Sequence, residues 1–332
     1  MSAPDVETRL LEPGADVTDL AAGLVRARAE AGLEGPGRSA EEWAWWASAP
    51  GGLAVASVRD ASGEVLAAVV AARRPARLEG EECTFLEAFE VYGRPAPGLA
   101  RARSLRAAGE AFAQEFGGRF PEGHPVAFGV PTRRAHRFGL RRFAWEILRS
   151  ENELYLEPGR FPAPPAHGVE VEEASSLPAE ADDLAARFAA GRAALLWPGA
   201  EALAWRTLAR PGRTPRLALA RKGGELVGLA VLERGRLVQW VVPPEEREAA
   251  VALVAWGLER ATAEGAADLA IRVPDTAPEW LGLQLVGFRA RPTDDYVVFR
   301  SWHKPYVMSW LFQNAWYGAG DVEATWGGEA SA

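Results

Sequence analysis

The chain has 332 residues, 48% hydrophobic and 25% charged, which is enough for two ordinary domains that each bury a core. Its formal net charge of -8 argues against a general nucleic-acid binder, which carries a basic balance. Its one cysteine, Cys83, excludes an internal disulfide and any zinc site built from several thiolates.

Thr18 to Ala31 mixes acids, arginines and apolar residues at helical spacing, with Asp16 or Thr18 as cap and Leu20, Leu24 and Val25 on the expected buried face. Ser39 to Ala47 reads as a second helix, because Ser39 and Glu42 form a capping-box pattern ahead of Trp43, Trp45 and Trp46. Leu53 to Arg59 and Val65 to Ala72 are strand-like runs joined by Asp60-Ala61-Ser62-Gly63, a hairpin turn signal. Thr84 to Tyr92 alternates as a third strand, Gly93 to Pro97 breaks it, and Leu99 to Phe116 is a long amphipathic helix stopped by Gly117-Gly118. Val126 to Val130 is a short buried strand, Thr132 to Arg142 a helix and Phe143 to Leu156 mostly strand.

Residues Glu157 to Gly168, with prolines at 158, 162, 164 and 165, read as a linker. After it the order repeats. Glu180 to Ala190 and Glu201 to Leu208 are helical, and Arg216 to Arg221 and Leu226 to Glu233 are strands about the turn Lys222-Gly223-Gly224. Arg236 to Val242 is a strand, Pro244 to Glu264 a helix, Asp268 to Val273 a strand, Thr276 to Val286 a helix and Asp295 to Ser301 a last strand. The halves are thus a diverged duplication by pattern rather than by identity. The expected division is an N-terminal lobe over 1–157, the linker over 158–168, a C-terminal lobe over 169–303 and an aromatic tail over 304–332.

The local series in the second half is Ala270-Ile271-Arg272-Val273-Pro274-Asp275, then Trp280, Val286-Gly287-Phe288 and Tyr296-Val297-Val298-Phe299. An altered version, Phe128-Gly129-Val130-Pro131-Thr132, then Ala135 and Arg142-Phe143-Ala144-Trp145, stands in the first. With the order of elements over about residues 10 to 303, these series resemble the GNAT superfamily of N-acetyltransferases, in the tandem two-lobe arrangement. The departures are Thr132, where that superfamily often has asparagine, and Arg142, where it often has glycine. The resemblance implies an α/β protein of two GNAT-like lobes in tandem, each a mixed, mainly antiparallel sheet flanked by helices. It also implies acetyl-CoA as co-substrate and a small-molecule or peptide amine as acceptor.

In the superfamily the loop before the long helix wraps the CoA pyrophosphate with a Gln or Arg, two residues, Gly, one residue, then Gly or Ala. Bare backbone N–H groups and a helix N-terminus suit a diphosphate. Gly98-Leu99-Ala100 fits the second half of that pattern; Pro95 stands at the basic position, with Arg94 beside it and Arg101 and Arg103 just beyond. The resemblance therefore implies a cofactor-binding set of Arg94, Gly98, Leu99, Ala100, Arg101 and Arg103, against the alternative of a Pro/Gly turn with solvated arginines. The equivalent loop of the second half, Val242-Pro243-Pro244-Glu245-Glu246-Arg247-Glu248, has no glycine and three acids. It is expected to repel a diphosphate, which leaves the second lobe degenerate.

Acetyl transfer to an amine needs a base for the ammonium proton and an acid for the leaving thiolate. Glu87 and Glu90 lie on the strand leading into the Gly98 loop, and strict alternation would put them on opposite faces. Glu90, nearer the loop, is the preferred base, with a surface glutamate as the alternative. Phe138 stands near the superfamily's usual tyrosine, so Tyr92 or His136 would have to donate the proton; Tyr92 is taken. The four histidines show no metal-ligand spacing, and no metal is expected. Met1 to Gly35 lacks a continuous apolar stretch, and no run approaches the roughly 20 apolar residues of a membrane helix. A cytoplasmic chain that engages neither membrane nor nucleic acid is the expectation.

The tail from Trp302 to Trp326, dense in Trp, Tyr and Phe, is expected to pack across the two lobes or to form a homo-oligomer interface, with a lid over the acceptor cleft as the sharper alternative. Three functional readings remain: an acetyl-CoA-dependent amine acetyltransferase working in the first lobe; a catalytically inactive tandem GNAT protein that binds CoA or a partner; and an aminoacyl transferase of the peptidoglycan-bridge type.

Overall fold

A computed structural model describes residues 5–30, 38–94, 100–131, 139, 144–161, 168–304 and 306–321. The first half runs β1 (Asp5–Leu11), α1 (Thr18–Glu30), α2 (Ala40–Ala47), β2 (Leu53–Arg59), β3 (Val65–Leu78), β4 (Glu81–Gly93), α3 (Ala100–Phe116), β5 (Val126–Gly129) and β6 (Glu146–Leu156). The second runs β7 (Val169–Ala174), α4 (Ala181–Ala189), β8 (Ala194–Leu196), α5 (Ala200–Leu203) with a π-helical turn (Ala204–Leu208), β9 (Arg216–Lys222), β10 (Glu225–Glu233), β11 (Arg236–Val241), α6 (Arg247–Ala263), β12 (Leu269–Ile271), α7 (Pro278–Val286) and β13 (Arg289–Ser301). The tail adds α8 (Met308–Asn314), β14 (Ala315–Trp316) and a 3-10 turn (Ala319–Asp321).

The local signals act as expected where they are strongest. The Ser39 hydroxyl accepts from the Glu42 N–H at 3.1 Å and the Ser39 N–H donates to the Glu42 carboxylate at 2.9 Å, closing the capping box. That start points Trp43, Trp45 and Trp46 into the protein. Asp60 accepts from the N–H groups of Ser62 and Glu64, which closes the β2–β3 turn. Several expectations need correction. Val25 is exposed on α1, while Leu20 and Leu24 are buried. The helix expected over Glu201 to Leu208 is a single α turn followed by a π turn. β13 begins at Arg289 rather than Asp295, with a register shift between Pro292 and Tyr296 that lets a proline sit in the strand. β1 and β7 add edge strands to the expected set. The helix expected over Thr132 to Arg142 lies, Gly139 apart, outside the described residues.

Hydrogen bonding joins both lobes into one sheet of order β1-β2-β3-β4-β5-β13-β6-β12-β11-β10-β9-β7. Along this order the pairs are antiparallel except β4–β5 and β11–β12, which occupy the same place in each lobe; off it, β8 pairs antiparallel with β3 and parallel with β14. The middle of the order shows a reciprocal exchange. β13, the closing strand of the second half, pairs with β5 of the first; β6, the closing strand of the first half, pairs with β12 of the second; and β6 and β13 pair with each other. Each lobe is therefore completed by a strand from the other half of the chain.

Both faces of the sheet are covered. In the first lobe α1 and α2 bury Leu24, Trp43 and Trp46 against Val55, Val70 and Phe89, while α3 buries Leu105, Ala108 and Phe112 against Ala56, Val69 and Leu86. In the second, α6 packs Leu253 and Val254 on Ala218 and Trp240, and α4 packs Leu184 and Phe188 on Leu217 and Leu229. No helix among the described residues is long and apolar enough to cross a membrane.

The exchange makes a simple cut informative. A chain cut between residues 157 and 169 separates β13 from β5 and β6 from β12 and exposes unpaired strand edges. Each piece alone should give no cooperative melt by circular dichroism, whereas the two expressed together should co-purify and melt as one unit. Two independently stable pieces would contradict this.

Candidate functional site

The feature that could hold a ligand is a gap in the first lobe's sheet. β4 and β5 pair only at Leu86 with Ala127 and Glu87 with Phe128. Past that point β4 stays on β3 up to Gly93, while β5 stays on β13, so the two parallel strands part. The far end of the gap meets the start of α3. The Arg94 N–H donates to the Leu66 carbonyl at 2.7 Å, which fixes the exit of β4. A Cβ placed on Gly93 would lie 3.2 Å from the Leu105 side chain and 3.5 Å from Arg101 Cγ, so the strand end is seated against the first turns of α3. Ala100 and Arg103 are exposed there, and the first turn holds no acid. Ala100, Arg101 and Arg103 thus lie on the first turn of α3, whose dipole favours an anion, while Arg94 follows Gly93 and its charge acts on Asp60 of the β2–β3 turn. Gly98 and Leu99 lie outside the described residues, as do His136 and Phe138.

The geometry of β4 corrects the expected placement of its glutamates. Val70 faces Glu90 but Ala71 faces Ala88, so Phe89 is an extra residue, a β-bulge. Leu86 and Ala88 pack on the α3 side, whereas Phe89 and Tyr92 pack on the α2 side. The bulge breaks the alternation between positions 87 and 90, and the partners of both glutamates lie among the tryptophans of the α2 side. Glu90 is 5% exposed and pairs with Arg38, whose Nε is 3.6 Å from the carboxylate. Tyr92 is buried in the aromatic cluster of the same face.

Glu87 belongs to a buried quartet that the sequence reading missed. Its carboxylate accepts from Arg74 of β3 at 2.5 Å and from Arg206 of the π turn at 2.8 Å. Arg74 also donates to Asp321 of the tail at 2.8 Å, and Arg206 donates to the Gly320 carbonyl at 2.5 Å. Burial alone would lower the Arg74 pKa, but the Glu87 and Asp321 carboxylates facing it raise it above its ordinary value. Trp45 and Trp205 form the wall of this pocket. They stack at 5.0 Å, and each indole N–H donates to the other's backbone carbonyl, at 2.7 and 2.8 Å. The local signal was Arg74 inside an apolar strand run; its partners could not be read, since Asp321 is 247 residues away.

The corresponding gap of the second lobe is filled. β11 leaves β12 after Leu237 pairs with Ile271. The 3-10 turn of the tail lies on β11 there, and a Cβ on Gly320 would stand 2.7 Å from both the Val238 carbonyl and the Gln239 amide nitrogen. Only glycine allows that approach. The α6 start has Glu246 as a cap without a side-chain bond and Glu248 in its first turn, the latter paired with Lys222 at 2.7 Å. Tyr306, Leu311 and Tyr317 pack into a core between the halves and Trp316 into the second lobe, so the tail spans both lobes. Tyr317 donates to Glu151 of β6 at 2.7 Å. Burial pushes Glu151 up to about 7, opposed by the Tyr317 hydrogen bond and by Arg272 and Arg149, with Asp295 adding to the rise.

A surface concavity of about 360 Å³ is lined by Glu7, Arg9, Asp19, Ala22, Arg26 and Arg59. It lies at edge strand β1, away from the β4–β5 gap, and Glu7 and Asp19 there face Arg9, Arg26 and Arg59. No group of three or more potential metal-ligating side chains occurs among the described residues.

No protein-family model matches the sequence, and no curated protein matches it significantly. Solved structures do match its fold. A conserved protein of unknown function from Enterococcus faecalis V583, described as a probable N-acyltransferase, aligns over 90% of this chain and 73% of its own with a TM-score of 0.63 and 11% identity. GCN5-related N-acetyltransferases from Kribbella flavida (TM-score 0.57, 16% identity, 90% of this chain and 71% of that one) and from Anabaena variabilis (0.58, 11%, 90% and 73%) are similar to the same extent. At these identities the likeness establishes the fold: two lobes of the GCN5-related type in tandem.

Two measurements test the electrostatics. Arg206→Ala would leave Glu87 and Asp321 buried beside one guanidinium instead of two and should cost about 3–5 kcal/mol in urea unfolding; a loss below about 1 kcal/mol would mean the quartet is solvated. For Glu151, the folded state holds its proton between about 4.5 and 7 while the unfolded chain does not. Its contribution is therefore complete below about 4.5 and is lost as pH rises through about 7, at up to roughly 1.4 kcal/mol per pH unit. Over that window the wild type should lose melting temperature relative to Glu151→Gln, and parallel curves would refute the assignment.

Proposed function

We propose that the chain is an acyltransferase that moves an acetyl group from acetyl-CoA to an amine, with the first lobe as the working centre and the cytoplasm, as read from the sequence, as its compartment. The observation that carries this reading is the contrast between the two gaps. The β4–β5 gap ends on an acid-free helix start carrying Arg101 and Arg103, while the β11–β12 gap is filled by the tail and faces Glu246 and Glu248. A diphosphate fits the first and not the second. The GCN5-related fold supports the same chemistry.

In this reading the CoA diphosphate lies at the α3 start, held by Arg94, Arg101, Arg103 and the backbone of Gly98 to Ala100. The pantetheine follows β4 along the edge that β5 has left, where main-chain groups are available to it. The Glu90 carboxylate takes a proton from the acceptor ammonium, and the free amine attacks the thioester carbonyl. Backbone N–H groups of β4 near the bulge stabilise the oxyanion. The C–N bond forms, the C–S bond breaks as Tyr92 gives a proton to the leaving thiolate, and the second proton lost by the acylated nitrogen restores the Tyr92 hydroxyl. One observation favours a second reading, binding without turnover: Tyr92 is 2% exposed and belongs to the apolar cluster under α1 and α2.

Calorimetry with acetyl-CoA tests the first requirement. The wild type should bind, and Gly98→Trp, which blocks the approach of the phosphate, should weaken binding at least about tenfold, or 1.4 kcal/mol. No binding to the wild type sinks both readings. Given binding, Glu90→Gln should keep the affinity and lose about 10²-fold or more in amine-dependent CoA release. CoA release unaffected by that change removes Glu90 as the base, and no release with any amine favours the non-catalytic reading.

A further inference from the structure

The described groups that meet the Arg38 guanidinium beside Glu90 are of one kind. The Arg38 guanidinium sits between the Glu90 carboxylate, 3.6 Å from Nε, and the Phe89 carbonyl, to which its terminal nitrogen donates at 2.5 Å. Its carbon is 5.3 Å from the Phe89 ring centre and 5.8 Å from that of Trp46, within cation–π range. Those two rings are themselves stacked at 4.0 Å and 3°, so the aromatic surface is rigid. The bulge supplies three of these features at once, because it turns Phe89 and Glu90 to the same face and bends their backbone. A carboxylate, a carbonyl oxygen and aromatic faces all attract positive charge. They offer an anionic or neutral acceptor nothing comparable.

From this arrangement we infer that Glu90, the Phe89 carbonyl and the Phe89 and Trp46 rings form a cation subsite that the chain's own Arg38 occupies, and that the acceptor is a positively charged primary amine that displaces it. The inference rests on the acyl-transfer reading for its acceptor but not for its binding chemistry. Arg38 directly precedes Ser39, the cap of α2, so its backbone is fixed while the side chain alone reaches the subsite. The side chain is 15% exposed and that of Glu90 is 6% exposed, so the pair is largely buried and a ligand must displace the guanidinium to reach the carboxylate. Arginine stays protonated at any working pH, so it competes with the ligand as a permanent internal cation and lowers the apparent affinity by the fraction of time it holds the site. It also selects: a neutral molecule gains no compensation for breaking the pair. Arg38 is therefore a specificity-determining residue, and Glu90 serves both to recognise the ammonium and to take its proton.

The probe is n-butylammonium at pH 8, titrated by calorimetry into the wild type, Arg38→Ala, Arg38→Gln and Arg38→Ala/Glu90→Gln, with n-butanol as the neutral control. Removing the competitor should tighten n-butylammonium binding by about tenfold in both single variants, the double variant should lose that gain, and n-butanol should bind none of them. Equal affinity in wild type and single variants, a gain that survives Glu90→Gln, or equal binding of n-butanol would overturn the proposal. Should both Arg38 variants lose their cooperative melt, the wild type against Glu90→Gln decides: binding confined to the wild type supports the subsite, and equal binding refutes it. Cation binding without acetyl-CoA binding would keep the subsite and discard acyl transfer; the converse would discard the subsite alone.

Discussion

Arg74, Glu87, Arg206 and Asp321 bring two positive and two negative charges together out of water, and the rest of the structure is arranged around that encounter. A buried ion pair gains little when complete, because desolvation offsets the attraction, but it is costly to leave half made. The quartet therefore acts mainly as a condition of assembly. Glu87 lies on the last residue pair before β4 and β5 separate. Arg74 holds it from β3, Arg206 from the π turn of the second half, and Asp321 closes the ring from the tail. Any arrangement that misplaces one of these elements strands a charge in the interior. The reciprocal indole hydrogen bonds of Trp45 and Trp205 fix the same junction from the apolar side.

The exchanged strands extend the argument from side chains to topology. With β13 completing the first lobe and β6 the second, neither sheet closes without the other. The tail then crosses the junction, giving Tyr317 to Glu151 and Asp321 to the quartet. The second lobe thus supplies a strand, an arginine and the bed for a tail to the first lobe, which explains how it can keep the fold while its own gap is filled.

Much of this order was legible in the sequence where the signal is local. The capping box at Ser39, the Asp60 turn and the long periodic helices depend on residues a few positions apart, and they stand where their patterns put them. β1 was not legible: Asp-Val-Glu-Thr-Arg-Leu-Leu carries little apolar alternation, as suits an edge strand exposed on one side. The exchange was illegible for a different reason. β6 and β13 each read as a closing strand, and nothing local states which lobe each will close. The candidate site divides in the same way. Glu90, Tyr92 and the arginines near Gly98 follow from position along β4 and α3, but the bulge at Phe89 leaves no trace in composition and reverses the expected facing of Glu87 and Glu90. Arg38, 52 positions before Glu90, becomes its partner only through the packing of α2 on β4.

The bulge also explains how one strand brings both Glu87 and Glu90 to the α2 side. Without it, Glu87 and Glu90 would lie on opposite faces, and one of them would enter the apolar layer under α3. With it, both meet arginines on the α2 side, three residues apart yet in different surroundings. Glu87 faces inward and is held by two guanidinium groups and the rings around them. Glu90 stands nearer the strand end and faces Arg38 at the start of α2. The first charge is bound by the interior of the protein, and removing either of its partners breaks the assembly. The second is paired with Arg38, whose Nε is 3.6 Å from it. In the proposed subsite a cation exchanges with Arg38 and not with Arg74 or Arg206, which makes Glu90 rather than Glu87 the ligand-facing member of this pair.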